Sequence, residues 1–259
     1  ACMVYIAVLY RRVPLRRSII VSAVGLPAIV AVQYFDGSMP IWFWIVGMLL
    51  AFGCMYLTIL FGAGTGKREG LYITARAFVL AELVASLHWQ IVAFIGTHDA
   101  QATSYGVQAI VMLIVIYALC FGLAWLVERG NFSQTTPTLP TASAATATVA
   151  ITIVTFAMSN LSFVSTNTPF SGSMGQEIFY IRTLVDFCGF AILYAQQEQA
   201  RRIEASAEIA SINAQLDSQH QEYLQSKENI ESLGRLAHDL KHQIAALRAE
   251  VDPEHAAAG

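Results

Sequence analysis

Apolar runs of membrane-spanning length recur along most of this chain, and they constrain its fold more than any other feature. A helix needs about 20 mainly apolar residues to cross a bilayer. Runs near that length lie at 18–35, 41–63, 71–96, 107–128, 146–164 and 177–195. Residues 1–10 are apolar but too few to cross alone, and we expect them at most to end a further span. The sequence therefore predicts an all-α membrane protein with a bundle of six to seven transmembrane helices.

Charge is divided unevenly along the chain. Only 13% of its 259 residues are charged, against about a quarter in a typical soluble domain, and few of them fall in residues 1–195. Residues 196–255 are polar and rich in Glu, Gln, Arg and His. We therefore predict a membrane domain over 1–195 followed by a cytosolic helical segment. The net charge of −3, with no basic block, gives no indication of nucleic-acid binding.

Positive residues indicate the orientation. Connections that carry Arg or Lys alternate with connections that carry none, at 36–40, 97–106 and 165–176. Positive residues concentrate in cytoplasmic loops, so these three connections are predicted to lie outside, and the C-terminal segment inside. The positive residues that set the alternation are Arg11, Arg12, Arg16, Arg17, Lys67, Arg68, Arg129, Arg201 and Arg202.

Neither the cysteines nor the outer histidines match a metal template. His88, His98 and Asp99 lie near the predicted outer face, but their spacing fits no ligand set, so solvated and capping roles are favoured over metal or proton sensing. The cysteines lie singly within apolar runs, which favours buried packing over a disulfide framework or a zinc site. They are Cys2, Cys54, Cys120 and Cys188.

Six ionisable residues lie at membrane depth. Each such group costs at least about 2.5 kcal/mol near the bilayer centre, so these residues usually face other helices and pair. Arg182 and Asp186 share one helix face, and the helix rise places Glu82 and Arg182 at similar depths, so these two residues could form an ion pair if their spans are neighbours. A polar switch and a structural pair are the two interpretations, the structural one being favoured for any single residue. The six are Arg76, Glu82, His88, Glu177, Arg182 and Asp186.

The C-terminal segment contains a heptad pattern. Its a and d positions are apolar except Gln219 and Ser226, while the intervening positions are mostly polar. A sustained seam needs a partner helix, so we predict a parallel homodimeric coiled coil, continuous with the last span and ending at Pro253. The two polar d positions either pin the register or let the helix rotate between packings. The series reads Ile209, Ile212, Leu216, Gln219, Tyr223, Ser226, Ile230, Leu233, Ala237, Leu240, Ile244, Leu247, Val251.

The sequence HDLKHQI, from His238 to Ile244, lies on the outward side of this helix. His238 is a b position and His242 an f position, both away from the seam, so a solvated face and a reactive imidazole are the two interpretations. A nucleophilic imidazole needs an exposed free nitrogen. The acid of Asp239 can orient the ring or take its proton, and Lys241 can support phosphate charge.

This motif resembles the phosphoacceptor box of sensor histidine kinases, most closely the multi-span type related to peptide-responsive quorum-sensing kinases, whose box begins with His followed by an acid. The resemblance implies that His238 accepts the phosphoryl group, with Asp239 as its acidic partner and Lys241 and His242 as accessory residues. It also implies four parts: a transmembrane sensor domain at 1–195, a coiled-coil linker at 196–229, the first helix of a dimerisation and phosphoacceptor domain at 230–252, and a tail at 253–259.

By the same resemblance, ATP and Mg²⁺ would bind a separate catalytic domain, and the phosphoryl group would pass to an aspartate of a response regulator. The chain reaches Gly259 without such a domain, so we expect a fragment that binds no cofactor itself. The expected partners are a second copy, a response regulator, membrane lipids and a peptide or other amphipathic ligand. The expected location is the bacterial cytoplasmic membrane, with the C-terminus in the cytoplasm.

Two other functions are compatible with the sequence. In a transporter or channel subunit with a dimerising tail, Glu82, Arg182 and Asp186 would line a path. No internal repeat of the kind common in transporters is evident, however, and Pro27 is the main proline within a span. A membrane scaffold with a dimerising helix explains everything except the arrangement HD-x-K-H.

Overall fold

The chain folds into helices wherever its structure is described. The structure is a computed structural model that describes residues 1–37, 41–98, 106–132, 141–164 and 175–256, and within these ranges all regular elements are helical. The helices are α1 (Cys2–Val8), a 3₁₀ turn (Tyr10–Arg12), α2 (Leu15–Asp36), α3 (Ile41–Gly62), α4 (Lys67–His98), α5 (Val107–Glu128), α6 (Ala142–Val164) and α7 (Gly175–Ala256).

The six helices from α2 to α7 are each long and apolar enough to cross a membrane. They lie where the apolar runs predict them, which confirms a multi-pass, all-helical membrane protein. Helix α1, whose described part has 7 residues, is buried and packs against α3, α4 and α5.

The chain divides into two compact units, Ala1–Gln199 and Ala200–Gly259. Helix α7 contributes its first part to the first unit and the rest to the second.

Helix α4 is the central helix of the first unit. Its residues from Tyr72 to Leu80 are buried all round, and it contacts α1, α3, α5 and α6. A helix buried on every side needs partners for any polar group it carries, since neither water nor lipid headgroups reach it. Because α4 contains Arg76 within this buried stretch, the surrounding helices must supply that side chain with hydrogen-bond acceptors and a negative charge.

Small residues allow the membrane helices to approach closely. Gly25 of α2 lies against Thr58 of α3, and Gly189 of α7 lies against Thr155 of α6. Packing of this kind is typical of membrane helices, where van der Waals contact replaces the hydrophobic effect as the force between helices. The α2–α3 pair is therefore held as a close hairpin.

The second unit is a single stretch of helix α7. Every side chain from Arg201 to Ala246 is exposed. The helix continues past Pro253 to Ala256, so the prediction that Pro253 ends it is wrong. Proline removes its N–H from the helical ladder and its ring crowds the carbonyl four residues earlier, but its fixed φ near −65° is a helical value.

We expect Gly25→Ala to destabilise the first unit. The added methyl carbon would lie 3.1 Å from Cβ of Thr58, a backbone-anchored atom that no rotamer change can move, and such overpacking costs about 1–3 kcal/mol. The melting temperature of the chain in detergent should therefore fall. Gly53→Ala in α3 is the matched control, because nothing lies within 4 Å of its added carbon. Equal melting temperatures for the two variants would contradict the close α2–α3 packing.

Candidate functional site

Arg76 lies at the centre of a buried polar cluster in the first unit, the Arg76 cluster, formed by Tyr5, Arg76, Glu128, Asn131 and Gln197. The guanidinium Nη2 is 2.6 Å from Oε1 of Glu128, and both side chains are fully buried. Tyr5 donates its hydroxyl to the same oxygen at 3.2 Å, and Asn131 donates to the other carboxylate oxygen at 3.1 Å. The carboxylate is therefore satisfied on both oxygens without water.

The Arg76 cluster also contacts the backbone and aromatic rings around it. Arg76 Nη1 donates to the carbonyl oxygen of Leu193 on α7 at 2.5 Å, and its guanidinium lies over the rings of Tyr72 and Phe132. Gln197 on α7 accepts from Tyr72 and donates to the carbonyl of Asn131 at 3.0 Å. The cluster thus connects α1, α4, α5 and α7 by hydrogen bonds.

A second polar group, the Glu82–Asp186 group, joins α4 to α7 through Glu82, Ser86, Arg182 and Asp186. Arg182 Nη2 lies 3.3 Å from Oε2 of Glu82, and both side chains are largely buried. Ser86 donates to Oδ2 of the fully buried Asp186 at 2.5 Å. The ion pair between Glu82 and Arg182 is therefore present, and Arg182 and Asp186 use the same face of α7 towards α4.

The remaining membrane-depth residues have separate surroundings. His88 is buried and packs edge-on against the rings of Trp89 and Tyr117, and its Nδ1 has no hydrogen-bond partner among the described residues. Glu177 is exposed in the first turn of α7. The side chain of His98 and the whole of Asp99 lie outside the described residues.

The pairing of Arg76 with Glu128 was not expected from the sequence. Glu128 is the last residue of α5 and precedes Arg129, so by pattern alone it belongs with the polar connection that follows the span. The sequence feature that could have indicated an acidic partner is the depth of Arg76 within its span. Arg76 lies nine residues inside α4, whose first residue is Lys67, and a buried arginine needs an acid at the same level.

An apolar groove of about 470 Å³ lies between α4, α5 and α7 in the first unit. Leucine, valine and phenylalanine side chains form most of its wall, including Leu83, Leu184 and Phe187. Groups able to form hydrogen bonds are contributed by Gln90, Tyr180 and Thr183, with the thiol of Cys120 beside them. The groove therefore offers a long apolar surface with a small number of hydrogen-bonding groups.

His238 and Asp239 are both well exposed in the second unit, with 69% and 76% of their side-chain surface accessible. His238 Nδ1 lies 3.8 Å from Oδ1 of Asp239, a distance at which the charges interact but which exceeds that of a hydrogen bond. Lys241 is exposed as well. The imidazole is thus open to solvent with a carboxylate beside Nδ1.

The side chain nearest to the other ring nitrogen of His238 belongs to His242. The two Nε2 atoms are 3.3 Å apart, and the ring centroids are 4.4 Å apart. Glu231, Gly234 and Arg235 complete the shallow, open surface around His238. These residues do not enclose a nucleotide, so this chain's own residues around His238 do not fit an ATP site.

Comparison of the chain with protein families, with curated proteins and with solved structures finds no match in any of the three.

We expect Arg76→Met to destabilise the first unit by about 3–5 kcal/mol, because it leaves the Glu128 carboxylate buried without a counter-charge. Adding Glu128→Leu to this variant removes the orphaned charge, so the double variant should lose less than the sum of the two single variants. Unfolding free energies in mixed micelles give the coupling by a double-mutant cycle. Arg235→Met, at an exposed position, should change stability by no more than about 0.5 kcal/mol. Additive losses would contradict a direct Arg76–Glu128 interaction.

Proposed function

We propose that this chain is the sensory part of a membrane histidine kinase of a two-component system, with His238 as its phosphoacceptor. One observation carries the proposal: the imidazole of His238 is exposed beside the carboxylate of Asp239, on a helix that also contains a membrane span. An exposed imidazole with an adjacent acid has the features that a nucleophilic histidine requires.

The proposed reaction is phosphoryl transfer to a ring nitrogen. A bond forms between that nitrogen and the terminal phosphorus of ATP as the bond to the ADP oxygen breaks, and the phosphoryl group then moves to an aspartate of a response regulator. Such transfers depend mainly on positioning and on charge stabilisation. Asp239 would orient the ring, Lys241 would approach the phosphate oxygens, and a separate domain would hold ATP and Mg²⁺.

We infer that a second copy of this chain covers the apolar seam of α7. Leu216, Ile230 and Leu233 are each more than half exposed although the heptad pattern places them in one stripe. A long exposed helix with such a stripe gains stability by burying it against another helix. The pattern repeats every seven residues, as expected for a parallel two-stranded coiled coil in which identical seams meet.

The input to this sensor would be an amphipathic molecule or peptide that enters from the bilayer. The apolar groove is the supporting observation, because its wall includes Leu184 and Phe187 of α7 and its polar lining includes Gln90 and Thr183. An acyl chain or an apolar peptide face could lie along the wall while a polar group bonds to Gln90 or Thr183. Such a ligand would contact α7 directly.

The proposed setting is the bacterial cytoplasmic membrane with the C-terminus in the cytoplasm. The distribution of Arg and Lys among the connections supports this orientation. It places the phosphoacceptor on the side where ATP and response regulators occur.

The structure favours the sensor over a transporter or channel subunit. In a transport path, Glu82, Arg182 and Asp186 would face a water-filled cavity. Instead, Glu82 and Arg182 are paired and largely buried, and Asp186 is fully buried with a bond from Ser86. These contacts suit residues that hold α7 in place.

We expect His238→Gln to abolish phosphoryl labelling of the chain by an intact partner kinase supplied with γ-labelled ATP. The amide occupies similar space but offers no nucleophilic ring nitrogen. His220→Gln, which removes another exposed histidine of the same helix, is the matched control and should leave labelling unchanged. Labelling that survives in His238→Gln would refute the assignment.

We expect Ser226→Cys to form a disulfide-linked dimer in membranes under mild oxidation. Position 226 is a d position of the seam, where two parallel helices bring equivalent side chains within reach of a disulfide. Glu228→Cys, on the outward f position, should remain monomeric. The unsubstituted chain, whose four cysteines are free, gives the background. Equal cross-linking at 226 and 228 would argue against the predicted seam.

A further inference from the structure

Two histidines of the second unit lie one helical turn apart with their outer nitrogens close together. The Nε2 atoms of His238 and His242 are separated by 3.3 Å. At this distance one neutral ring can donate an Nε2 proton to the lone pair of the other. If both rings carry their proton on Nδ1 instead, the lone pairs of the two Nε2 atoms lie close to each other.

The observed separation matches metal coordination. Bonds from Zn²⁺ to imidazole nitrogen are about 2.0–2.1 Å, and two of them at a tetrahedral angle separate the nitrogens by roughly 3.3 Å. The one-turn spacing therefore sets the separation of the nitrogens without moving the backbone, and a rotation of the two exposed side chains, whose ring centroids are 4.4 Å apart, aims both lone pairs at one ion. The four-residue spacing in the sequence places the two histidines one turn apart on a helix, and their rotamers bring the Nε2 atoms together.

We propose that His238 and His242 bind a divalent transition-metal ion of the zinc and copper class through their two Nε2 atoms. Imidazole is a preferred ligand of both ions. The carboxylate of Asp239 lies 3.8 Å from Nδ1 of His238, beyond hydrogen-bond distance, and its negative charge favours a cation at this end of the site.

The surroundings leave the site open. Among the described residues no group of three or more His, Cys, Asp or Glu side chains could enclose a metal ion, so water fills the remaining positions. Glu231 and Arg235 line the same open surface and carry opposite charges. The site is therefore a two-ligand chelate on an exposed helix, accessible to ions from solution.

Metal binding would also control the proposed phosphoacceptor, and this part rests on the proposed function. The lone pair of His238 Nε2 cannot bond to a metal and to phosphorus at once. Zn²⁺ should therefore slow labelling of the chain, and His242→Gln should relieve this inhibition because a single imidazole holds the ion weakly.

Metal binding is tested by titrating the full chain in detergent micelles with Zn²⁺ and, separately, with Cu²⁺ followed by electron paramagnetic resonance. His238→Gln and His242→Gln should each weaken binding at least tenfold and remove the signature of two nitrogen ligands. His220→Gln should leave both unchanged. Unaltered affinity in either single variant overturns the site.

Two double variants test whether metal binding depends on the spacing of the histidines rather than on their number, and whether it needs the phosphoacceptor. Combining His242→Gln with Gln243→His keeps two histidines but turns one away around the helix, so binding should stay weak. Combining His238→Gln with Ala246→His restores the one-turn spacing without the phosphoacceptor, so metal binding should return while labelling does not. Failure of this rescue overturns the chelate. Metal binding without labelling in the unsubstituted chain would instead refute only the proposed function.

Discussion

The buried ion pair between Arg76 and Glu128 is the interaction on which the rest of the membrane bundle depends. An arginine in the middle of a helix that is buried on all sides has no route to water, so its charge must be matched within the protein. The match comes from the carboxylate at the end of α5 and the Leu193 carbonyl on α7, while Tyr5 on α1 satisfies the carboxylate. This bond from Tyr5, together with the apolar contacts of its neighbours in the core, accounts for the burial of α1.

Helix α7 is attached to the bundle at two depths, and this has a consequence for any motion. Asp186, bonded to Ser86, and Leu193, bonded to Arg76, are about 10 Å apart along the helix axis at a rise of about 1.5 Å per residue. A rotation or a shift of α7 must therefore rearrange both sets of contacts together. Elements held in this way change between discrete arrangements rather than deforming gradually. Under the proposed function, a ligand in the groove would act by favouring one such arrangement.

The parts of the fold that depend on local pattern could be predicted from the sequence, and those that depend on long-range contacts could not. The six spans follow from apolar run length, and the Glu82–Arg182 pair follows from counting residues along two helices. Glu128 could not be predicted as the partner of Arg76, because an acid at the end of a span is usually solvated and the sequence does not show that this one is buried. The burial of α1 likewise depends on tertiary contacts, since a run of seven apolar residues contains no pattern that shows which helices it packs against. The close approach of two imidazoles lies between these cases, because it follows from the helix period but also needs particular rotamers.

Under the proposed function and the proposed metal site, one local geometry in the second unit would serve two chemistries. An exposed histidine on a helix becomes a good nucleophile when its Nε2 lone pair is unprotonated and its ring is oriented through Nδ1 by a carboxylate. The same tautomer and the same orientation make it a good metal ligand. A second histidine one turn away supplies a second metal ligand, whereas the resemblance gives it only an accessory part in phosphoryl transfer. If both proposals hold, metal and phosphoryl groups compete for one nitrogen of His238.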